Sequence, residues 1–435
     1  MGSVLLTLPI AHQDGQWGNY LDSLFISTSS TCVTGLTTYE KGIADELTIF
    51  GQAVMLIMIQ IGGLGFITIL TFIISVFIKR LKFKDRLFLS QAINSTTIAD
   101  VGKFAKRVVI IVAIAEALGF LLGLPVFLNI PEYSVGEALW KSFFTSVSAF
   151  NNAGFDLFGG ASLIRGAGIN PIIDNMSEGL YVYLLIYIML LIIIGGLSFV
   201  VIIDVCFSHK KPRQYNAFTK IVLCTTGVLL VLGTICFLLT ETTRDGLPFI
   251  HCLFQSVTCR TAGFASFAQT DLTPAGKTIS CLLMFIGGSP LSTAGGIKTT
   301  TIFIICLLFV RFLQGKRITA FKREYSRISV LKSMTLVFLS LGIIIVSFIA
   351  IRAMETANPV ADAENVFFEV FSAFGTVGLT AGLTTTLSVG SKIVIILLMF
   401  FGRLGPITLF QIFQKDMEKV EDLHYKNIET DLLVG

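Results

Sequence analysis

Four short stretches of this chain end in a glycine preceded by three residues: Cys32-Val33-Thr34-Gly35, Asn151-Asn152-Ala153-Gly154, Arg260-Thr261-Ala262-Gly263 and Gly375-Thr376-Val377-Gly378. Backbone carbonyls turned toward a common axis replace the water shell of a monovalent cation, and glycine tolerates the dihedrals that turn them. Within FSAFGTVGL, Phe371 to Leu379, the fourth stretch carries Thr-Val-Gly, a run from which such a carbonyl-lined ion filter can be built. Each stretch follows a run of apolar and small residues suited to a short helix. The glycines are 119, 109 and 115 residues apart, the period of a whole structural unit. Six residues before the glycine stand Ser29, Ser148 and Ser372; the third stretch has Val257 there and Ser256 one place earlier.

A second motif recurs downstream in the same order: GGLGF from Gly62, GGLSF from Gly195, GGSPL from Gly287 and GRLGP from Gly402. The third copy is expanded. Gly287, Gly288, Ser289, Pro290, Ser292, Thr293, Gly295 and Gly296 interrupt what would otherwise be one apolar helix, since proline removes a helix hydrogen bond and glycine weakens the helix. Irregular backbone at membrane depth is tolerated only against protein or a water-filled cavity, so this break is expected beside the passage, as a gate. Two cations stand in apolar surroundings: Lys298 just after the break and Arg403 in MFFGRLGPITLF. A fixed positive charge below a cation filter raises the barrier to the ion, and Arg403 is expected to hold the loop in a closed state. Lys298 either lines the passage or snorkels to the surface. GGIKT does not read as a phosphate loop, because no strand precedes it and the lysine does not directly follow the glycine.

Composition sets the medium. With 54% hydrophobic and 14% charged residues and a mean hydropathy of +0.81, the chain reads as an integral membrane protein. Its four histidines are scattered and no Cys-x-x-Cys pair occurs, so no bound metal or redox cofactor is expected. The expected fold is all-α, with four helix–loop–helix repeats in pseudo-fourfold order around one pore. The repeats are placed at 1–79, 80–209, 210–316 (broken second helix) and 317–414, with a cytoplasmic tail at 415–435. Met1-Gly2-Ser3 reads as an added start, and residues 3–10 as the end of a spanning helix in a truncated first repeat. Spanning helices are expected at about 47–78, 104–130, 180–207, 217–239, 330–353 and 392–413, with 274–313 as a long apolar stretch. Dipping helices are expected at 136–150, 247–258 and 363–374, too short for a bilayer core of about 30 Å. The loops at 79–107, 204–220 and 311–332 carry 19 Lys/Arg, against 8 in the loops on the other side. That excess puts the first set in the cytoplasm and the glycine turns outside. Those basic loops serve topology, and some are candidates to dock a cytoplasmic partner.

The four ordered stretches, the RTAGF run at Arg260–Phe264 and GGSPLSTAGGIKTT resemble the Trk/Ktr/HKT superfamily of potassium transporters, most closely the bacterial KtrB (or KtrD) type of membrane subunit. The similarity covers essentially the whole chain apart from the start of the first helix. The resemblance implies potassium uptake across the bacterial cell membrane, with potassium as substrate, bound at the filter, and sodium as candidate activator. It also implies a movable intramembrane loop in the third repeat, a homodimer, and a cytoplasmic ring of RCK-type subunits (KtrA- or KtrC-like) that bind ATP or ADP. In the family a serine in place of the first-loop glycine goes with sodium preference; this chain has Gly35. Four non-identical loops are expected to discriminate less sharply than four identical ones.

Two other classes compete. A sodium-coupled solute carrier has broken helices in two inverted repeats, whereas this chain repeats four times in parallel. A membrane enzyme needs a nucleophile with its base, and His251 with Ser256 is too thin a case. No nucleotide-binding fingerprint and no nucleic-acid-binding feature occur. A guanidinium at Arg260 facing the pathway would repel a cation, so it is expected to turn away and brace against Glu364, Glu369 or another outer carboxylate.

Overall fold

Long apolar runs with few breakers give this chain its helices, and glycine and proline mark where they stop. A computed structural model describes residues 1–65, 101–159, 162–166, 170–207, 212–241, 247–321 and 323–405. The helices expected at 47–78 and 392–413 instead stop at Leu64 and Leu404, where Gly65 and Gly405 take φ of 75° and 79°. Residues 66–78, those beyond 405, most of the basic loop at 79–107 and the tail at 415–435 lie outside the described residues.

The chain opens with α1 (Gly2–Thr7), α2 (Tyr20–Cys32), the short α3 (Ile43–Glu46) and α4 (Ile49–Leu64). Next come α5 (Val101–Leu128), α6 (Val135–Phe150), the single turn α7 (Pro171–Asp174), α8 (Glu178–Gly196) and α9 (Phe199–Cys206). Then follow α10 (Ala217–Glu241), α11 (Phe249–Thr258), α12 (Pro274–Phe285) and α13 (Thr299–Leu313). Past a small hairpin lie α14 (Arg327–Met354), α15 (Ala363–Gly375) and α16 (Val389–Leu404).

Among the described residues, four helices, Phe104–Leu128 within α5, α8, α10 and α14, are long and apolar enough to cross a membrane. The helices that end at the glycine stretches have 13, 16, 10 and 13 residues. At 1.5 Å per residue they reach about 15–24 Å, short of a bilayer core.

The starts of these elements are chemically marked. Thr48, Thr273 and Ser388 accept backbone N–H groups at the starts of α4, α12 and α16, and Ser134 with Glu137 forms a capping box on α6. Pro274 takes the first position of α12, where its missing N–H costs nothing.

Among the described residues, three buried clusters hold the helices together. One joins α2, α4 and α6 through Ile26, Met55, Ile59 and Phe144. A second joins α5, α6, α8 and α11 through Val112, Phe150, Leu184, Ile188 and Phe254. The third packs α12, α14, α15 and α16 through Met284, Ile344, Phe374 and Met399. Polar links tie the same helices near their starts: Trp140 Nε1 donates to Gln52 Oε1 at 2.7 Å, and Lys392 Nζ lies 2.7 Å from Asp22 Oδ1, joining α16 to α2.

Two further features depart from expectation. The stretch expected as one helix at 180–207 is divided at Leu197-Ser198 into α8 and α9. The all-α expectation also misses an antiparallel hairpin, β1 (Thr319–Ala320) with β2 (Arg323–Glu324). Arg311 locks that hairpin by donating from Nε and Nη2 to Thr319 O, at 3.2 and 2.9 Å.

Candidate functional site

Each of α2, α6, α11 and α15 ends in a turn built the same way. Two residues before the glycine, Val33, Asn152, Thr261 and Thr376 adopt left-handed conformations with φ of 57°, 58°, 68° and 50°. Such a conformation costs a non-glycine residue about 1 kcal/mol or more, so surrounding contacts must hold it. Gly35, Gly154, Gly263 and Gly378 then take φ of 102°, 72°, 81° and 97°. The four turns are buried except at Gly154, which is half-buried.

The turns meet. A Cβ placed on Gly35 would lie 2.7 Å from Ala153 O, and one on Gly154 would lie 2.6 Å from Ala262 O. One on Gly263 would lie 2.3 Å from Val377 O, and one on Gly378 would lie 2.1 Å from Thr34 O. The contacts run first to second, second to third, third to fourth and fourth back to first. Four glycines and four carbonyls therefore close a ring, and no methyl group fits at any of its four contacts.

Hydroxyls pin the turns from behind. Ser29 Oγ accepts from Gly35 N at 3.2 Å and Ser372 Oγ from Gly378 N at 3.1 Å, while Ser148 Oγ accepts from Phe155 N at 3.1 Å. The third turn is one residue tighter. Thr258, missed by counting back six residues, donates to Phe264 O at 2.7 Å, and Ser256 instead donates to Leu230 O at 2.9 Å.

The second motif has a matching physical role. A Cβ on Gly62, Gly195 or Gly402 would come within 2.0, 1.8 and 1.9 Å of Thr31 O, Phe150 O and Phe374 O, so these glycines let the following helix press on the C-terminus of the short one. In the third copy, Gly287 presses instead on Gly295 O, at 2.1 Å from its would-be Cβ. There the chain leaves the helix between α12 and α13.

That break packs against the C-terminal end of α8 and the fourth turn. Ser289 N donates to Gly196 O at 3.2 Å, Thr293 N to Gly195 O at 3.3 Å, and Thr293 Oγ1 to Gly195 O at 2.9 Å. A Cβ on Gly295 would lie 2.0 Å from Thr376 Oγ1, which puts the loop directly against the fourth turn. Leu291 takes a left-handed φ of 56° after Pro290, and its carbonyl receives Phe199 N at 2.9 Å. Gly288 packs on Ala294, Gly296 (φ 63°) on Gly287, and Ser292 Oγ donates to Ser289 O at 2.8 Å.

Both cations engage the break. Lys298 Nζ donates to Ala294 O at 2.7 Å, so it folds back onto the loop and does not snorkel. Arg403 Nη1 donates to Thr293 O and Nη2 to Gly62 O, joining the break to the last turn of α4. Carbonyls at a helix C-terminus carry partial negative charge, which suits a guanidinium.

Arg260 departs from its expected pairing. It is 8% exposed, its Nε lacks a hydrogen-bond partner, and it makes no ion pair among the described residues. Glu364 instead lies 3.9 Å from Lys277, and Glu369 accepts from Thr380 Oγ1 at 2.9 Å and from Thr384 Oγ1. Asn151 turns away from the ring: its Nδ2 donates to Glu116 Oε1 at 2.9 Å and Gln60 Oε1 at 3.1 Å. Glu116 and Gln60 went unnoticed in the sequence, although a lone carboxylate inside VVIIVAIAEALGF was the available signal.

Residues 3–422 match the TrkH family, described as cation transport proteins. The chain is 36% identical to the potassium/sodium uptake protein NtpJ of Enterococcus hirae, over 100% of this chain and 94% of that protein. It is 35% identical to the Ktr system potassium uptake protein B of Bacillus subtilis, over 95% of this chain and 90% of that one. The solved potassium transporter TrkH from Vibrio parahaemolyticus superposes with a TM-score of 0.70 at 17% identity, covering 91% of this chain and 78% of its own. With its apolar helices, buried glycine turns and full-length similarity, the chain belongs to the TrkH family of cation transport proteins.

Proposed function

We propose that this protein takes up potassium across the cell membrane through a filter built from its four glycine turns. The observation that carries the reading is the closed ring in which Gly35, Gly154, Gly263 and Gly378 each abut the next turn's carbonyl. Alternating left-handed and ordinary dihedrals along each turn direct successive carbonyls to one side, the arrangement needed to strip water from a cation. The pseudo-fourfold repeats, with 1–79, 80–209, 210–316 and 317–414 as their extents, are part of this proposal.

The break between α12 and α13 is the gate, with Arg403 as the tie that keeps it closed across Thr293 and Gly62. Glycine turns face outward and the basic loops face the cytoplasm. Association with regulatory subunits is supported by similarity to a protein of the Ktr system; that these are nucleotide-binding RCK subunits acting on a homodimer is part of the proposal.

Uptake of rubidium by reconstituted protein, competed by potassium and resisted by sodium, tests the reading. Uptake that an organic solute drives or displaces would sink it. A less selective monovalent cation pathway is the second reading, favoured by the unequal turns and by the 36% identity to a potassium/sodium uptake protein.

A further inference from the structure

A carboxylate stands behind the second turn. Glu116 lies in α5, inside the apolar run VVIIVAIAEALGF, and is 9% exposed. Its Oε1 receives Asn151 Nδ2 at 2.9 Å, and its Oε2 receives Gln60 Nε2 of α4 at 3.1 Å. Asn151 Nδ2 also reaches Val147 O at 2.9 Å and Gln60 Oε1 at 3.1 Å. Ser146 Oγ donates to Glu116 O at 2.7 Å, which fixes α5 against α6 beside this cluster. Among the described residues no Lys, Arg or His forms an ion pair with Glu116.

The partners fix how each amide lies. Val147 O is a backbone carbonyl and only accepts, so Asn151 presents its nitrogen there. Gln60 Oε1 then faces that nitrogen, and Gln60 Nε2 is left for Glu116. Both carboxyl oxygens thus meet N–H donors, a set that matches an ionised carboxylate. One nitrogen with two hydrogens serves three acceptors, Glu116 Oε1, Gln60 Oε1 and Val147 O, so negative charge is in surplus behind the turn. Burial opposes an ionised carboxylate unless a positive charge compensates it, and no side chain supplies one here.

We infer that Glu116 sets how tightly the ring holds its cation: acting through Asn151, its carboxylate is the counter-charge to the ion in the filter. The inference rests on the filter reading above. Glu116 touches no ion; it is a positioning residue, one hydrogen bond behind Asn151, which opens the second stretch. The stretches opened by Cys32, Arg260 and Gly375 have no such partner among the described residues. Glu369, also buried, accepts instead from Thr380 and Thr384, beyond the fourth turn. A charge at this distance acts on sodium and potassium alike, so Glu116 governs affinity for monovalent cations as a class.

The test uses the full chain, with potassium and rubidium as probes. Purified protein is titrated with potassium chloride at constant ionic strength, and binding is read from the rise of the unfolding midpoint. Glu116→Gln is expected to raise the half-saturating potassium concentration roughly tenfold, and Glu116→Asp to bring it back within about threefold of wild type. In proteoliposomes the half-saturating rubidium concentration is expected to rise by the same factor, more than the maximal rate falls, with the sodium inhibition constant moving in parallel. A merely structural role would lower the cation-free midpoint and leave both half-saturations unchanged, and that result overturns the inference. Should Glu116→Gln fail to fold, Gln60→Met takes one donor from the carboxylate and is expected to raise both values severalfold; unchanged values overturn the inference equally. Wild-type protein that neither binds nor transports potassium removes the filter reading and this one with it. Wild-type binding and uptake with unshifted variants sinks this one alone.

Discussion

Gly378 makes the tightest contact of the ring, with Thr34 O 2.1 Å from the place a Cβ would take. Gly378→Ala must therefore push the first turn away or abandon φ of 97°. Rubidium uptake is expected to fall at least ~10-fold, with weakened preference over sodium, since carbonyl placement sets both. Thr258→Val tests the third turn: losing the bond to Phe264 O costs about 1 kcal/mol of stability. The same change is expected to raise inhibition of rubidium uptake by sodium, read from competition curves. At this scale the glycines were legible in the sequence, because a turn needing φ > 0 restricts its residue type. Thr258 was not, since a turn shortened by one residue moves its brace out of register with the other three. The carboxylate partner expected for Arg260 is also not found among the described residues. Glu364 and Glu369 look available in sequence, yet Lys277 and two threonine hydroxyls already engage them.

Among the elements, the break between α12 and α13 was readable in advance because Gly287, Gly288, Pro290, Gly295 and Gly296 cannot sustain a helix. The division at Leu197-Ser198 carries only a Gly-Gly pair and no proline, and it was missed. Its cause is tertiary: Gly195 O and Gly196 O are taken by Thr293 and Ser289 of the break, and Phe199 N by Leu291 O. Two-residue strands such as β1 and β2 leave no periodic signal at all. Arg403→Ala removes the tie from the break to α4 and lowers the positive charge below the ring. Flux is expected to rise severalfold in rubidium uptake assays; a rate at or below wild type would count against the tie. Lys392→Met cuts the ion pair with Asp22 that joins α16 to α2. With both side chains largely buried, the loss is expected at ~1–2 kcal/mol, visible as a lower unfolding midpoint in detergent.

For the whole molecule, orientation rests on the excess of basic residues in the loops assigned to the cytoplasm, 19 against 8. Lys316, exposed between α13 and the hairpin, offers a direct check. With the exposed Cys206, Cys224 and Cys306 changed to serine, Lys316→Cys is expected to react with a membrane-impermeant thiol reagent only from the cytoplasmic side. Labelling from outside would invert the assignment.

The four turns are covalently one chain, and this separates their fates. Where a ring is assembled from copies of one subunit, any coding change strikes every quarter simultaneously and must be survivable fourfold. Here a substitution alters a single quarter, so cation preference, gating and the buried arginine can each be adjusted in isolation by selection or by an engineer.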